Sequence, residues 1–564
     1  MKELNGSQMI SEALKLEGVD VVFGYPGGAA LNIYDETYKQ NYFEHVLTRH
    51  EQAAVHAADG YARASGKVGV AFVTSGPGFT NAVTGLATAY SDSIPLVLIS
   101  GQVATSLIGT DAFQEIDAVG ISRSCVKHNY LVKNIEELPR ILKEAFYIAR
   151  TGRPGPVHID VPKDITAAVG KFEYPKEISI PTYKPTYKGN AKQIKKAAEV
   201  IEASKRPLVY VGGGAISSQA SQLVREFVKK AGIPSVCTLM GLGVLDRDDE
   251  LNLGMAGMHG SYAANMALSE SDLLIALGAR FDDRITGKLS EFAKHAKIIH
   301  IDIDPSSISK IINAHFPIVG DLKSVLEELI PRINANSETF APWREILARY
   351  SSLYPLKFED SDKILKPQWI VQQTAKIVGK DAVIATDVGQ HQMWVAQFYP
   401  FNRPRQLITS GGQGTMGYGL PAALGAKWAV GDKPVVNFTG DGSILMNIQE
   451  LMTASVNKKP VINIILNNSF LGMVRQWQTF FYGERYSATD LEIQPDFVKL
   501  AESFGGIGFK VSTKAEFQKA LKTALKSDKI SLIDVVIDRF ENVLPMVPAG
   551  AAIYNMILDD KGQK

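Results

Sequence analysis

The chain is 564 residues long, too many for a single hydrophobic core, so about two to four domains are expected. Its composition, 45% hydrophobic and 21% charged, is that of an ordinary globular protein, and 60 basic against 59 acidic residues leave no basic field for nucleic acid or anionic lipid. Cys125 and Cys237 have no metal-type spacing and suit a reducing compartment, while no apolar run approaches membrane-spanning length.

The opening stretch, MKELNGSQMISEALKLEGVDVVFGYPGG, reads as helix, strand and glycine turn with no room for a signal or transit peptide. A cytoplasmic protein with neither nucleic-acid nor membrane partners is expected. Short apolar runs then alternate with helical stretches: VGVAFVTSGPG and PLVLISG, then PLVYVGGG, DLLIALGA and KIIHIDID, then PVVNFTGDG and VINIILNN. That rhythm predicts α/β domains with doubly wound parallel sheets. YPKEISIPTYKPTYKGN (174–190) and YSSLYPLKFEDSDKILKP (350–367) interrupt it and read as linkers, giving blocks 1–180, 190–345 and 365–564.

The first and third blocks share a unit. KVGVAFVTSGPGFTNAVTGLATAYSDSIPLVLIS (67–100) lines up with KPVVNFTGDGSILMNIQELMTASVNKKPVINII (433–465), and one offset relates Leu86 to Leu451 and Pro95 to Pro460. Two explanations stand: the general likeness of βαβ units, or two like domains flanking a different one.

In the second copy an apolar run delivers TGDGS to the carboxyl edge of a sheet, where open α/β folds bind ligands. A helix starting there turns its first amides outward and favours a phosphate. Asp441 offers one hard oxygen, and the next strand returns Asn468 and its amide oxygen to the same edge. Hard oxygens beside phosphate select Mg²⁺. The pattern predicts a metal clamp for a diphosphate.

Gly-Asp-Gly followed after about two dozen residues by Asn-Asn resembles the motif of thiamine diphosphate-dependent enzymes. The resemblance implies a pyrimidine-binding domain (1–180) and a diphosphate- and Mg²⁺-binding domain (365–564) of like fold, around a Rossmann-like third domain (190–345). It implies a metal held by Asp441, Asn468 and the main-chain carbonyl of Phe470. Gln390 and His391 in DVGQHQMW would contact the diphosphate, Gly414 and Met416 in SGGQGTMGYGLPAA the aminopyrimidine, and Gly442, Ser443 and Met473 the rest of the cofactor. Glu51 in TRHEQAAVHAADGYARASGK takes the place of the catalytic carboxyl that hydrogen-bonds the pyrimidine and lets its amino group work as a base. From the residues alone, Glu51 also reads as an exposed first-turn glutamate favoured by the helix dipole, and His391 as a buried structural histidine.

Among these enzymes the text is similar to the acetohydroxyacid synthase family (biosynthetic acetolactate synthase, large catalytic subunit): RHEQAA, SGPG, IGTDAFQE, IDVPKDI, ARFDDRITGK, QHQMW, LNNSFLGMVRQWQ and LPMVPAGAA. That likeness implies decarboxylation of pyruvate and condensation of its hydroxyethyl unit with pyruvate or 2-oxobutyrate. It implies FAD along Arg153, His259, Gly260, Gly278, Arg280, Asp302, Asp304 and Asp321, although PLVYVGGGAISSQ misses the dinucleotide fingerprint at Ser217. Gln114 would be a catalytic residue of the pocket, and Trp477, Lys163 and Arg284 would meet substrate or inhibitor, with Trp477 at the second-substrate pocket and the mouth of the inhibitor channel. Trp477 also reads as core, and Asp282, Asp283 and Arg284 as a surface ion-pair cluster. At ATSL (104–107) the chain departs from relatives that carry Pro and basic residues. Expected partners are 2-oxo acids, a second copy in a homodimer or homotetramer with interface active sites, and a small regulatory subunit. The alternatives are a degradative acetolactate synthase, which lacks the FAD segments, and a pyruvate oxidase.

Overall fold

The computed structural model describes residues 2–559. Its architecture is three six-stranded sheets, each parallel throughout, with helices on both faces. The chain opens on β1 (Lys2–Asn5) and continues through β2 (Val21–Gly24), β3 (Glu44–Leu47), β4 (Gly69–Val73), β5 (Leu96–Gln102), β6 (His128–Leu131) and β7 (Pro156–Pro162). β8 (Val169–Phe172) then pairs antiparallel with β1 and clasps the first block shut. The expected opening helix is present at Gly6–Leu16, but β1 precedes it. Its pairing partner lies far along the chain, beyond the reach of any local pattern.

The middle block holds β9 (Pro207–Val211), β10 (Ser235–Cys237), β11 (Asn252–Met255), β12 (Leu273–Leu277), β13 (Lys297–Asp302) and β14 (Phe316–Val319). The third holds β15 (Val383–Thr386), β16 (Leu407–Ile408), β17 (Val435–Thr439), β18 (Ile462–Asn467), β19 (Ile507–Val511) and β20 (Ser531–Val536). β4, β9, β12 and β17 are buried at every position, as strands covered on both faces must be.

Strand order distinguishes the blocks. The first sheet runs β3-β2-β4-β5-β7-β6 and the third β16-β15-β17-β18-β20-β19, the same permutation. The aligned stretches fall on corresponding strands, β4 with β17 and β5 with β18, so the first and third blocks are like domains. The middle sheet runs β11-β10-β9-β12-β13-β14, the doubly wound order that opens a crevice between its first and fourth strands.

The two like domains meet through a helix from each, Glu51–Ser65 and Gly419–Val430, packed antiparallel. Both are rich in Ala and Gly at the contact, which lets the backbones approach closely. Behind the contact, Arg63 is buried between Asp59 (2.6 Å) and Asp92 (2.8 Å), and Tyr418 donates to Asp59 (2.5 Å). Beyond β20 the chain crosses to the middle domain. Val547 N donates to the Met258 carbonyl (2.8 Å), and Val547 and Ile553 join that domain's core. Among the described residues no helix is long and apolar enough to cross a membrane.

Candidate active site

β17 and β18 are neighbours, so the turns that leave them lie side by side. β17 delivers Asp441 and β18 delivers Asn468, 2% and 6% exposed. The Asp441 carboxylate sits against the Asn468 main-chain N–H and accepts from Gln494 Nε2 (2.6 Å). Burial, and the nearby charge of Asp534, push its pKa up to about 7. Asn468 Nδ2 donates to Gln390 Oε1 (3.0 Å), while Asn468 Oδ1 accepts from Phe470 N (3.2 Å). Gln390 is itself fixed by donating to Gln476 (2.9 Å) and the Glu541 carbonyl (3.1 Å). Asp441, Asn468, Phe470 and Gln390 therefore converge. Among the described residues no group of three or more His, Cys, Asp and Glu suited to a metal occurs.

The helix expected directly after Gly-Asp-Gly begins instead as a 3₁₀ turn, Ile444–Asn447, with α-helix from Glu450 to Val456. Gly442 lies under Leu471 and Leu491, and Ser443 Oγ donates to the Val388 carbonyl (3.3 Å). His391 is buried at the start of the helix Gln390–Phe398, and its Nε2 has no hydrogen-bond partner among the described residues. A methyl on Gly440 would come within 3.1 Å of its Nδ1. Burial lowers the His391 pKa to about 3, so the ring is neutral.

Gly414 (φ +62°) and the half-buried Met416 lie on the loop entering the helix Gly419–Val430. Asp387, fully buried at the end of β15, pins this loop by accepting from Gly417 N (2.8 Å) and Gly419 N (3.3 Å). Asp92 accepts from Gly411 N (2.9 Å) and Gly412 N (2.7 Å), and Thr415 meets Thr88 (2.7 Å). The loop thus rests on the C-terminal end of the helix Pro77–Asp92.

Glu51 stands at the other end of that helix. It is 9% exposed, accepts from Asn81 Nδ2 (3.0 Å) and faces Gly78. Gln114 joins it there: its backbone takes φ +60°, and a methyl on Gly76 would come within 2.5 Å of its carbonyl oxygen. Glu51 meets this helix at Gly78 and Asn81 and the Met416 loop meets it from Thr88 to Asp92, about 10–20 Å further along at 1.5 Å per residue. One chain does not bring them together.

Met473 and Trp477 share the outward face of the helix Gly472–Phe481 and line a cavity of about 740 Å³ with Arg485 and Tyr482. The inward face carries Arg475 and Gln476, so Trp477 is not core. Lys163 is exposed at the end of β7, and Thr105 of the ATSL stretch donates from its N to Asp164 (3.0 Å) beside it.

In the middle domain Gly278, Arg280, Asp302 and Asp304 gather at the carboxyl edge of β12 and β13. Gly278 (φ +57°) packs against Gly214, and a methyl on Gly212 would meet the Gly278 carbonyl at 2.3 Å. Burial raises the Asp302 pKa to about 6. Arg153 reaches across from the first domain to Asp304 (3.3 Å) and Ser93 (2.7 Å). His259, buried next to the tight turn at Gly260, meets the Pro545 carbonyl (3.2 Å). Asp321 caps the helix Leu322–Leu329, accepting from Ser324 N (3.2 Å). Of the acidic cluster, Asp282 caps its own short helix, and Arg284, 62% exposed, lies 3.7 Å from Asp283 and 3.6 Å from Met258 Sδ.

Sequence reasoning left out Asp387, Gln476, Gln494 and Asn81. Asp387 had a signal, an acid ending an apolar strand just as Asp441 does. The other three act through long-range packing and had none.

The fold sets two like domains in one chain, one carrying Glu51 and the other the Asp441–Asn468 pair. In comparison with known families, residues 4–121 match the thiamine pyrophosphate enzyme N-terminal TPP binding domain, 194–329 the central domain and 387–535 the C-terminal TPP binding domain. The chain is 49% identical over 565 residues to the acetolactate synthase large subunit of Haemophilus influenzae, covering 99% of both chains. It is 48% identical to the isozyme 3 large subunit of Escherichia coli (99% of both) and 48% to a probable large subunit from Methanocaldococcus jannaschii (98% of this chain, 95% of that one). The chain belongs to the thiamine pyrophosphate enzymes, and within them to the acetolactate synthase large-subunit family.

Proposed function

We propose that this chain is the catalytic subunit of an acetolactate synthase. It decarboxylates pyruvate and joins the two-carbon remainder to a second 2-oxo acid, giving 2-acetolactate or, from 2-oxobutyrate, 2-aceto-2-hydroxybutyrate. This is the first common step of branched-chain amino acid synthesis. The observation that carries the reading is the Asp441–Asn468 pair on adjacent strand ends, in a chain alike over its whole length to acetolactate synthase large subunits.

Thiamine diphosphate, when bound, supplies the acidic thiazolium carbon at which pyruvate loses CO₂. Asp441, Asn468 and the Phe470 carbonyl would hold Mg²⁺, an oxygen set suited to that ion. Gln390, His391, Gly442 and Ser443 would hold the diphosphate. The unpartnered Nε2 of His391, whose Nδ1 edge packs against Gly440, supports this fit. Gly414 and Met416 would orient the aminopyrimidine, Met473 would meet the rest of the cofactor, and Glu51 would hold a proton against the pyrimidine ring. Gln114 and Lys163 would face the first 2-oxo acid, Trp477 and Arg284 the acceptor. The β9–β12 crevice, with glycines at both strand ends and Arg153, Arg280, Asp302 and Asp304 around it, suits FAD, whose role in a condensation without net electron transfer would be structural; His259, Gly260, Gly278 and Asp321 would complete that site.

The site requires a second copy. Glu51 and Met416 occupy opposite ends of one helix, so each active site would take Glu51 from one chain and the diphosphate residues from its partner. Exposed apolar side chains near both ends support this, among them Leu47 and Phe113 (87% exposed) on the Glu51 side and Met446 and Ile493 (100%) on the metal side. The relatives' names as large subunits support a small regulatory partner. A cytoplasmic location accords with this metabolic role.

The test is incubation of purified protein with pyruvate, thiamine diphosphate and Mg²⁺. Expected are CO₂, acetoin after acidification, no oxygen uptake and a yellow protein whose flavin does not bleach anaerobically. Oxygen uptake with flavin reduction would establish a pyruvate oxidase instead.

A further inference from the structure

Beneath the N-terminal end of the helix Pro77–Asp92 lies a line of polar side chains, buried except at its half-buried end, Asn129. Asn129 Nδ2 donates to Ser122 Oγ (2.9 Å), Ser122 Oγ meets His158 Nδ1 (3.0 Å), and His158 Nε2 meets Ser100 Oγ (2.7 Å). Ser100 Oγ reaches Asp160 Oδ1 (2.5 Å). Ser100, Ser122 and His158 are 0% exposed and Asp160 is 1% exposed, and the imidazole stacks on Phe79 with centroids 4.7 Å apart. Both ends grip the segment carrying Gln114. Gln102 Nε2 donates to Asp160 Oδ2 (2.9 Å) and to the Ile116 carbonyl (3.0 Å); at the other end Ser122 is itself on the helix Ala118–Ser122, its Oγ 3.4 Å from that helix's own Val119 carbonyl, to which Asn129 Nδ2 donates from β6 (2.7 Å).

We propose that Asp160 is a positioning residue for the Gln114 segment, acting through the hydrogen-bond chain Asp160–Ser100–His158–Ser122, which has two complete arrangements. When Asp160 is ionised its oxygens only accept. Ser100 O–H then donates to Asp160, His158 Nε2–H donates to Ser100, and Ser122 O–H donates to His158 Nδ1. When Asp160 is protonated every donor reverses: Asp160 to Ser100, Ser100 to Nε2, Nδ1–H to Ser122, and Ser122 O–H to the Val119 carbonyl. Between the two, each hydrogen shifts one place toward Asp160 and a single proton is taken up at the Ser122 end. The imidazole changes tautomer and stays neutral. Ser122 lies on the helix Ala118–Ser122 that follows Gln114: its hydroxyl is committed to His158 in the ionised arrangement and turns back to its own helix, at the Val119 carbonyl, in the protonated one, where His158 becomes the donor.

The surroundings leave Asp160 as the member that titrates. Burial pushes its pKa up to about 7 and holds His158 down to about 3. Asp117, which caps the helix Ala118–Ser122, is the carboxylate facing it. β5 and the helix from Pro77 to Ala89 carry no ionisable side chain. On β6, His128 and Tyr130 face each other (4.5 Å), and Tyr130 donates to Glu144 (2.9 Å).

The consequence for turnover rests on the proposed placing of Gln114 at the substrate; the hydrogen-bond chain does not. In ¹⁵N-histidine-labelled protein, His158 is expected as the Nε2–H tautomer well above the Asp160 midpoint and as Nδ1–H well below it. Asp160→Asn can donate to Ser100 and accept from Gln102, so it should show Nδ1–H at every pH. The KM for pyruvate should shift by up to about tenfold per pH unit near that midpoint, with kcat held, and be flat in Asp160→Asn. Ser100→Ala severs the chain and should make the tautomer independent of pH. One tautomer at all pH in the unaltered chain, or switching that survives in either variant, overturns the chain. Switching with KM unmoved overturns the positioning role. The tautomer measurement needs no turnover, so it separates failure of this inference from failure of the proposed function.

Discussion

Gly60 and Gly425 face each other's helices at the junction of the two like domains. A methyl on Gly425 would come within 1.8 Å of the Ala57 carbonyl oxygen, and one on Gly60 within 2.1 Å of the Ala422 carbonyl oxygen. Glycine inside a helix costs about 1 kcal/mol relative to alanine, so both are kept for the close approach. Gly425→Ala is expected to force the helices apart and destabilise the protein by about 1–3 kcal/mol. Thermal unfolding reads this directly; an unchanged melting temperature would show that the junction is slack.

The distance between Glu51 and the Met416 loop predicts complementation between dead chains. Glu51→Gln should bind thiamine diphosphate yet turn over poorly, and Asp441→Ala should lose Mg²⁺-dependent cofactor retention. Unfolded together and refolded, the two variants should recover about a quarter of normal activity, because half the dimers are mixed and each mixed dimer has one intact site. No recovery, with mixed dimers demonstrated, would place both groups in one chain's site.

Glu450 is fully buried where the third domain meets the segment before Glu51, accepting from Arg49 N (2.9 Å) and Thr453 Oγ1 (2.6 Å). Burial raises its pKa from the ordinary 4.5 to about 7 despite these donors. The folded state therefore holds the proton more tightly than the unfolded one. The stability this contributes is complete below pH 4.5 and lost as pH rises through about 7. Glu450→Gln should gain stability relative to the unaltered chain across that window, by on the order of 1–3 kcal/mol. Denaturant titrations at several pH values would expose a constant difference, which would refute the assignment.

Trp477 offers its indole to the cavity beside Met473, with Phe481 edge-on at 5.3 Å. One additional buried methylene separates 2-oxobutyrate from pyruvate and is worth roughly 10- to 200-fold in preference. Trp477→Leu should keep acetolactate formation near normal while lowering the share of 2-aceto-2-hydroxybutyrate formed from mixed acids. An unchanged product ratio in a folded, active variant would move the acceptor site elsewhere.

Much of this protein is legible along the chain. Alternating apolar runs and helical stretches declare parallel α/β domains because both periodicities are local. The Asp441 and Asn468 pair is legible because βαβ geometry returns adjacent strands to one sheet edge, whatever the rest of the fold does. The aligned copies at 67–100 and 433–465 pointed to like domains for the same reason.

Other features depend on groups far apart in sequence, about which local propensity is silent. The pairing of β1 with β8, Gln494 on Asp441, Asn81 on Glu51 and the return of the C-terminal segment to Met258 and His259 are all of this kind. The identical strand permutation of the outer sheets turned a likeness between two stretches into a likeness between two domains. The sequence by itself determined which chemical groups the protein owns and which strand ends present them, since those follow from side-chain identity and short-range geometry. Only the tertiary structure decided which groups meet: close packing of two glycine-bearing helices holds Glu51 and Met416 at opposite ends of one rigid helix, and a side chain cannot span that length.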